Sequence, residues 1–88
     1  MLRYQIAFYL PRNSGEMVVA EALDFPGAIT KGFDLADARL MIASALEDLA
    51  QGLLEQGKPL PTPNPAAPAE ADLVELVPLT VHAGAARV

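Results

Sequence analysis

The chain has 88 residues, no cysteine and a net charge of −5 from eleven acids and six bases. This limits it to one domain with one modest core and removes disulfides, thiolate metal clusters and cysteine nucleophiles from consideration. The acidic balance disfavours unassisted nucleic-acid binding, where neutralised phosphates supply most of the affinity, and suits a basic partner.

Leu2, Tyr4, Ile6, Phe8 and Leu10 alternate with Arg3, Gln5, Ala7 and Tyr9, a period of two that predicts a strand with one apolar face. Pro11 ends it and Arg12–Gly15 supplies turn chemistry. A second strand covers 17–23. Asp24-Phe25-Pro26-Gly27 forms a corner, and 28–32 is a short third strand that completes an antiparallel meander. Asp34 opens a helix, its carboxylate capping the first turn, and Asp37 adds charge favourable to the helix dipole. Leu35, Ala38, Ile42, Ala45, Leu46, Leu49 and Leu53 form its apolar stripe. Gly57, as a left-handed cap with Pro59 behind it, ends the helix.

Residues 58–72 carry Pro59, Pro61, Pro63, Pro65 and Pro68, five of the eight prolines, and read as an extended connector. Residues 73–81 resume strand character, with Pro78 confining that strand to an edge. The domain spans 1–82, and 83–88 is a tail. No apolar run approaches the ~20 residues that cross a bilayer, and no signal peptide opens the chain, so a cytoplasmic protein is expected.

The order β-β-β-α-β predicts an α+β fold, a four-stranded and mostly antiparallel sheet in order 3-2-1-4 with one helix on one face. A right-handed crossover through the helix would set the last strand parallel to the first. One helix covers one face, so the residues on the other face matter most. Strand two has no polar face, and Val18, Ala20 and Ala22 are expected on the uncovered side as an oligomer interface. Tyr4, Phe8 and Phe33 are expected in the core rather than as a base-stacking platform.

Chemistry is sparse. The one histidine, His82, lies by the tail, and no Gly-rich phosphate loop occurs. Glu21 and Asp24 point to opposite faces, and Asp34 and Asp37 are explained by capping, so no metal site or cofactor is expected. A ribonuclease H-like enzyme needs an acid in the middle of its first strand; residues 2–10 contain none. The chain is therefore read as non-catalytic.

Val18-Val19-Ala20-Glu21-Ala22-Leu23-Asp24-Phe25-Pro26-Gly27 resembles a strand followed by D-[LF]-P-G. Thr30-Lys31-Gly32-Phe33-Asp34-Leu35-Ala36-Asp37-Ala38 is similar to T-x-G-x-[ST]-x-x-E-A at a helix entry. Leu53–Pro63 supplies a P-x-P helix exit. Together these resemble the HicB-like antitoxin family, a partial ribonuclease H-like domain, over residues 1–65 and in outline over 73–81. Asp34 and Asp37 replace the Ser or Thr cap and the Glu common in that family.

The resemblance implies a type II antitoxin that binds a HicA-type toxin, a small basic mRNA-cleaving ribonuclease, and covers its catalytic surface. Candidate toxin-binding residues are Glu21, Asp24, Asp34 and Asp37, with Phe25 and Pro26 as an apolar anchor. Many members carry a C-terminal DNA-binding module; no room for one follows residue 82, so no direct DNA binding is expected. A homo-oligomer is expected, because the sheet leaves edges and a face uncovered. The alternative is an orphan HicB-like oligomer, a scaffold or ligand-binding module without a toxin.

Overall fold

The alternating first segment forms β1 (Arg3–Tyr9), which pairs antiparallel with β2 (Val18–Ala22); β2 pairs antiparallel with β3 (Ile29–Gly32). After α1 (Leu35–Glu55), β4 (Leu73–Pro78) joins the free side of β1, so the sheet order is 3-2-1-4 as predicted. The computed structural model describes residues 3–25, 27–63 and 70–79. Leu2, Pro26, the middle of the connector (64–69), residues 80–82 and the 83–88 tail lie outside the described residues.

Both helix ends follow from local chemistry. Asp34 is the N-cap, its Oδ1 accepting from Asp37 N at 2.8 Å, while Asp37 Oδ2 accepts from Phe33 N at 2.9 Å. These two carboxylates satisfy donors that the first turn leaves free. At the other end Gly57 takes φ +71°. Gly57 N donates to Leu54 O and Lys58 N to Leu53 O, a Schellman closure.

The helix buries Ala38, Ile42, Leu46 and Ala50 at four-residue intervals. They meet Tyr4, Ile6 and Phe8 of β1, Val18, Ala20 and Ala22 of β2, and Phe25 and Ala28 of the corner. Val18, Ala20 and Ala22 are thus 4%, 0% and 4% exposed and lie under the helix, not on the uncovered side. Register decides this. Phe8 pairs with Ala20 and Ile6 with Ala22, and opposed residues of antiparallel strands share a face. Because both faces of β2 are apolar, hydrophobicity alone did not distinguish them. What does is size: α1 lies over β2 and β3, and small side chains there let its backbone come close. Gly32 is the extreme case. A Cβ at that position would overlap Ala38 N and stand 2.7 Å from Ala38 Cα.

β4 is antiparallel to β1, with Arg3 opposite Pro78 and Phe8 opposite Leu73, which corrects the expected parallel crossover. The connector permits the reversal. It leaves the helix beside the start of β1, where Tyr4 Oη donates to Pro61 O at 2.6 Å. It arrives beside the far end, where Asp72 N donates to Phe8 O at 3.0 Å. An extended chain from Pro61 to Asp72 can reach roughly 34 Å, whereas the strand from Tyr4 to Phe8 covers only about 13 Å. That reach exceeds the length of β1, so β4 can begin beside Phe8 and run back against β1.

No residue of β4 is fully buried. Two ion pairs supplement its ladder. Arg39 of α1 donates Nε and Nη2 to the two oxygens of Glu75 at 2.9 and 2.5 Å, and Arg12 Nη2 donates to Asp72 Oδ1 at 2.9 Å. Leu10 N also donates to Asp72 Oδ2 at 2.8 Å. The arginine hydrogen bonds are the main reason that both carboxyls titrate below the ordinary carboxylate range.

Gly32→Ala must push the first turn of α1 off β3, and a loss of about 1–3 kcal/mol is expected from the urea-unfolding midpoint. For Glu75 the folded pKa lies below the unfolded one. Its contribution is therefore complete above the unfolded carboxylate range and disappears as pH falls through the folded value. The stabilities of wild type and Arg39→Met are expected to converge on acidification from about pH 6 to about pH 3. A gap that stays constant would show that the pair contributes nothing.

Candidate partner-binding surface

The six residues expected to bind a partner do not form one patch. Glu21 lies on the open face of the sheet, opposite Ala7 of β1 and Ile29 of β3. Asp24 and Phe25 follow β2 at the opposite end of the sheet from Asp34 and Asp37, which follow β3 at the start of α1. Phe25 is 2% exposed and meets Tyr4 edge-on, ring centroids 5.3 Å apart, so it belongs to the core and offers no surface anchor. Pro26 is outside the described residues. Asp34 and Asp37 are capping groups, with Asp34 exposed and Asp37 half-buried.

The corner is an internal joint. Tyr4 stacks on Phe25 and ties its hydroxyl to the connector at Pro61. Burial, and secondarily the Asp24 carboxylate, raise the Tyr4 pKa. Beside this joint lies an open apolar cleft of about 660 Å³ between the last turns of α1 and the connector, lined by Phe25, Leu49, Gly52, Leu53, Leu60 and Pro61.

The uncovered sheet face carries Val19 and Glu21 of β2, Ala7 and Tyr9 of β1, Ile29 and Lys31 of β3, and Val74 and Leu76 of β4. Ile29 and Leu76 are 58% and 60% exposed, whereas Ala7 is fully covered between its neighbours. Tyr9 Oη donates to Glu21 Oε1 at 3.5 Å. Burial, then the Glu21 charge, raise the Tyr9 pKa. A smaller hollow of about 480 Å³ links this face to the β1–β2 hairpin through Tyr9, Met17, Val19 and Lys31.

The outward side of α1 is the second uncovered surface. Phe33, expected in the core, is 85% exposed: Gly32, opposite Val18, takes the helix-facing position at the end of β3, and alternation turns the next side chain away from the core. Leu40 and Met41 are 71% and 46% exposed. The available sign in the sequence was that both fall off the apolar stripe of α1, at positions where a surface helix normally carries polar residues. Among the described residues, no cluster of three or more His, Asp or Glu could hold a metal ion, and no helix is long and apolar enough to cross a membrane.

In structure the chain is similar to the N-terminal domain of the Burkholderia pseudomallei antitoxin HicB. The TM-score is 0.74 at 23% identity, covering 90% of this chain and 99% of that one. The Burkholderia pseudomallei antitoxin HicB itself gives a TM-score of 0.74 at 24% identity over 90% of this chain, which spans 64% of that protein's length. No family model and no curated protein matches the sequence. The chain has the HicB-type fold.

Tyr4→Phe removes the single side-chain tie between β1 and Pro61 and leaves a half-buried carbonyl without it. A loss of about 1 kcal/mol is expected in urea unfolding, with faster proteolysis within the connector; an unchanged cleavage rate would show that the tie does not hold the connector in place.

Proposed function

We propose that this chain is an antitoxin that binds a small basic HicA-type ribonuclease and covers its catalytic surface, without catalysis of its own. The observation that carries this reading is the likeness to the HicB N-terminal domain over 99% of that domain's length. Charge supports it. A protein of net charge −5 gains encounter rate and selectivity against a basic, RNA-binding surface, because complementary potentials steer the two together. Its carboxylates would stand where RNA phosphates otherwise bind. β1, RYQIAFY, contains no acid, so the strand that carries the first metal-binding carboxylate in ribonuclease H-like enzymes lacks it here.

Self-association belongs to the same reading. The exposed Ile29 and Leu76 on the open sheet face favour a homo-oligomer formed through that face, with half-buried Val19 and Val74 beside them in place of the Val18, Ala20 and Ala22 set. An orphan oligomer with no toxin would use the same surface.

Co-expression with a HicA-type toxin encoded beside this gene is expected to restore growth that the toxin alone arrests. The purified pair is expected to associate more slowly as salt rises from about 50 to about 500 mM, since screening shortens the reach of the steering field. Failure of both rescue and complex formation would leave the orphan oligomer as the better reading.

A further inference from the structure

We infer that the toxin docks along the outward side of α1, with Phe33 and Leu40 as apolar anchors inside an acidic rim. This rests on the antitoxin reading and names the surface that reading leaves open.

Four of the large apolar side chains left exposed belong to α1 or its entry: Phe33 at 85%, Leu40 at 71%, Met41 at 46% and Leu54 at 45%. Phe33 stands just before the N-cap Asp34 and Leu40 in the second turn of α1, so both are exposed in the entry half of the helix. None of these groups is needed by the core, whose helical contribution is Ala38, Ile42, Leu46 and Ala50. Exposed apolar groups gathered on one element, rimmed by charge, mark an interaction surface. Phe33 and Met41 are of the residue types enriched in interface cores.

Charge then selects the occupant. Along the helix the acids are Asp37, Glu47, Asp48 and Glu55, with Asp34 at the cap, against one base, Arg39. That base is engaged by Glu75 of β4. The remaining described bases lie elsewhere: Arg3 and Lys31 on the open sheet face, Arg12 bonded to Asp72, and Lys58 beyond the helix end. A second copy placed on this side would set acids against acids, and RNA or an anionic lipid surface would be repelled in the same way. A basic protein surface with an apolar spot satisfies both parts of the pattern. The two uncovered surfaces are thus divided, the acidic helix side for a basic partner and the more neutral sheet face for a like chain.

The test is a titration of the protein with a purified, catalytically inactivated HicA-type toxin encoded beside its gene. The variants are Leu40→Gln and Phe33→Ser, which delete apolar surface without changing charge, and Asp48→Lys, which reverses charge at an exposed position. Unchanged circular dichroism and melting would establish that each variant folds; Leu10→Gln, on the β1–β2 hairpin, serves as the surface control. Leu40→Gln and Phe33→Ser are each expected to weaken binding at least tenfold. Asp48→Lys is expected to slow association several-fold and reduce its salt dependence, and Leu10→Gln to bind as wild type does. If wild type binds and the α1 variants bind within twofold of it, the docking surface is overturned while the antitoxin reading stands. If wild type itself does not bind, the antitoxin reading falls and this inference with it. If Leu40→Gln lowers the oligomer mass in light scattering yet keeps toxin affinity, a second copy covers the helix and the inference is again overturned.

Discussion

The close approach of α1 to β2 and β3 is the constraint on which the other features depend. A helix can lie this near a sheet only where side chains at the contact are small, and the contact is built from Ala20, Ala22, Ala28, Gly32, Ala38 and Ala50. Large residues are kept to the flank, where Tyr4, Phe8, Ile42 and Leu46 fill the space beside the small ones. This division gives an 88-residue chain a core of apolar residues, none of those described being charged, despite a composition rich in alanine. It also uses up the small apolar face of β2, so that face is unavailable to a partner.

Two surfaces with different chemistry follow from the same packing. The open sheet face mixes Ile29, Val19, Tyr9 and Leu76 with charges of both signs, whereas the helix side is acidic with isolated large apolar groups. Gly32 links the two. It takes the helix-facing position at the end of β3, and alternation turns Phe33 outward, at the end of α1 where the capping carboxylates Asp34 and Asp37 sit. Capping and surface charge are here the same atoms, which is why an explanation of these acids by local structure does not exclude a role at an interface.

The fourth strand is attached differently from the other three. It contributes no fully buried side chain, and it is held by its ladder with β1 and by ion pairs to Arg39 and Arg12. Exposed ion pairs are individually weak, so the strand's place depends on backbone pairing more than on packing. The connector is long enough to deliver it in either direction, and the antiparallel choice sets Glu75 on the helix side, where Arg39 meets it.

The sequence by itself determined the elements, their order, the helix caps and the edge position of the proline-containing strand. Each is set by local rules: alternation, three- and four-residue spacing, the Asp34 carboxylate, the positive φ of Gly57 and the missing amide proton of Pro78. It also placed Tyr4, Ile6, Phe8, Ile42 and Leu46 in the core, since alternation in β1 and three- and four-residue spacing in α1 each fix a face. Tertiary structure alone decided which face of β2 is covered, where Phe25 and Phe33 point, and the direction of β4. In those cases the local pattern is degenerate, because both faces of β2 are apolar and a long extended connector fits either strand direction. Inter-strand register, helix proximity at Gly32 and pairing across the sheet remove the degeneracy, and these arise only when segments distant in the chain are brought together.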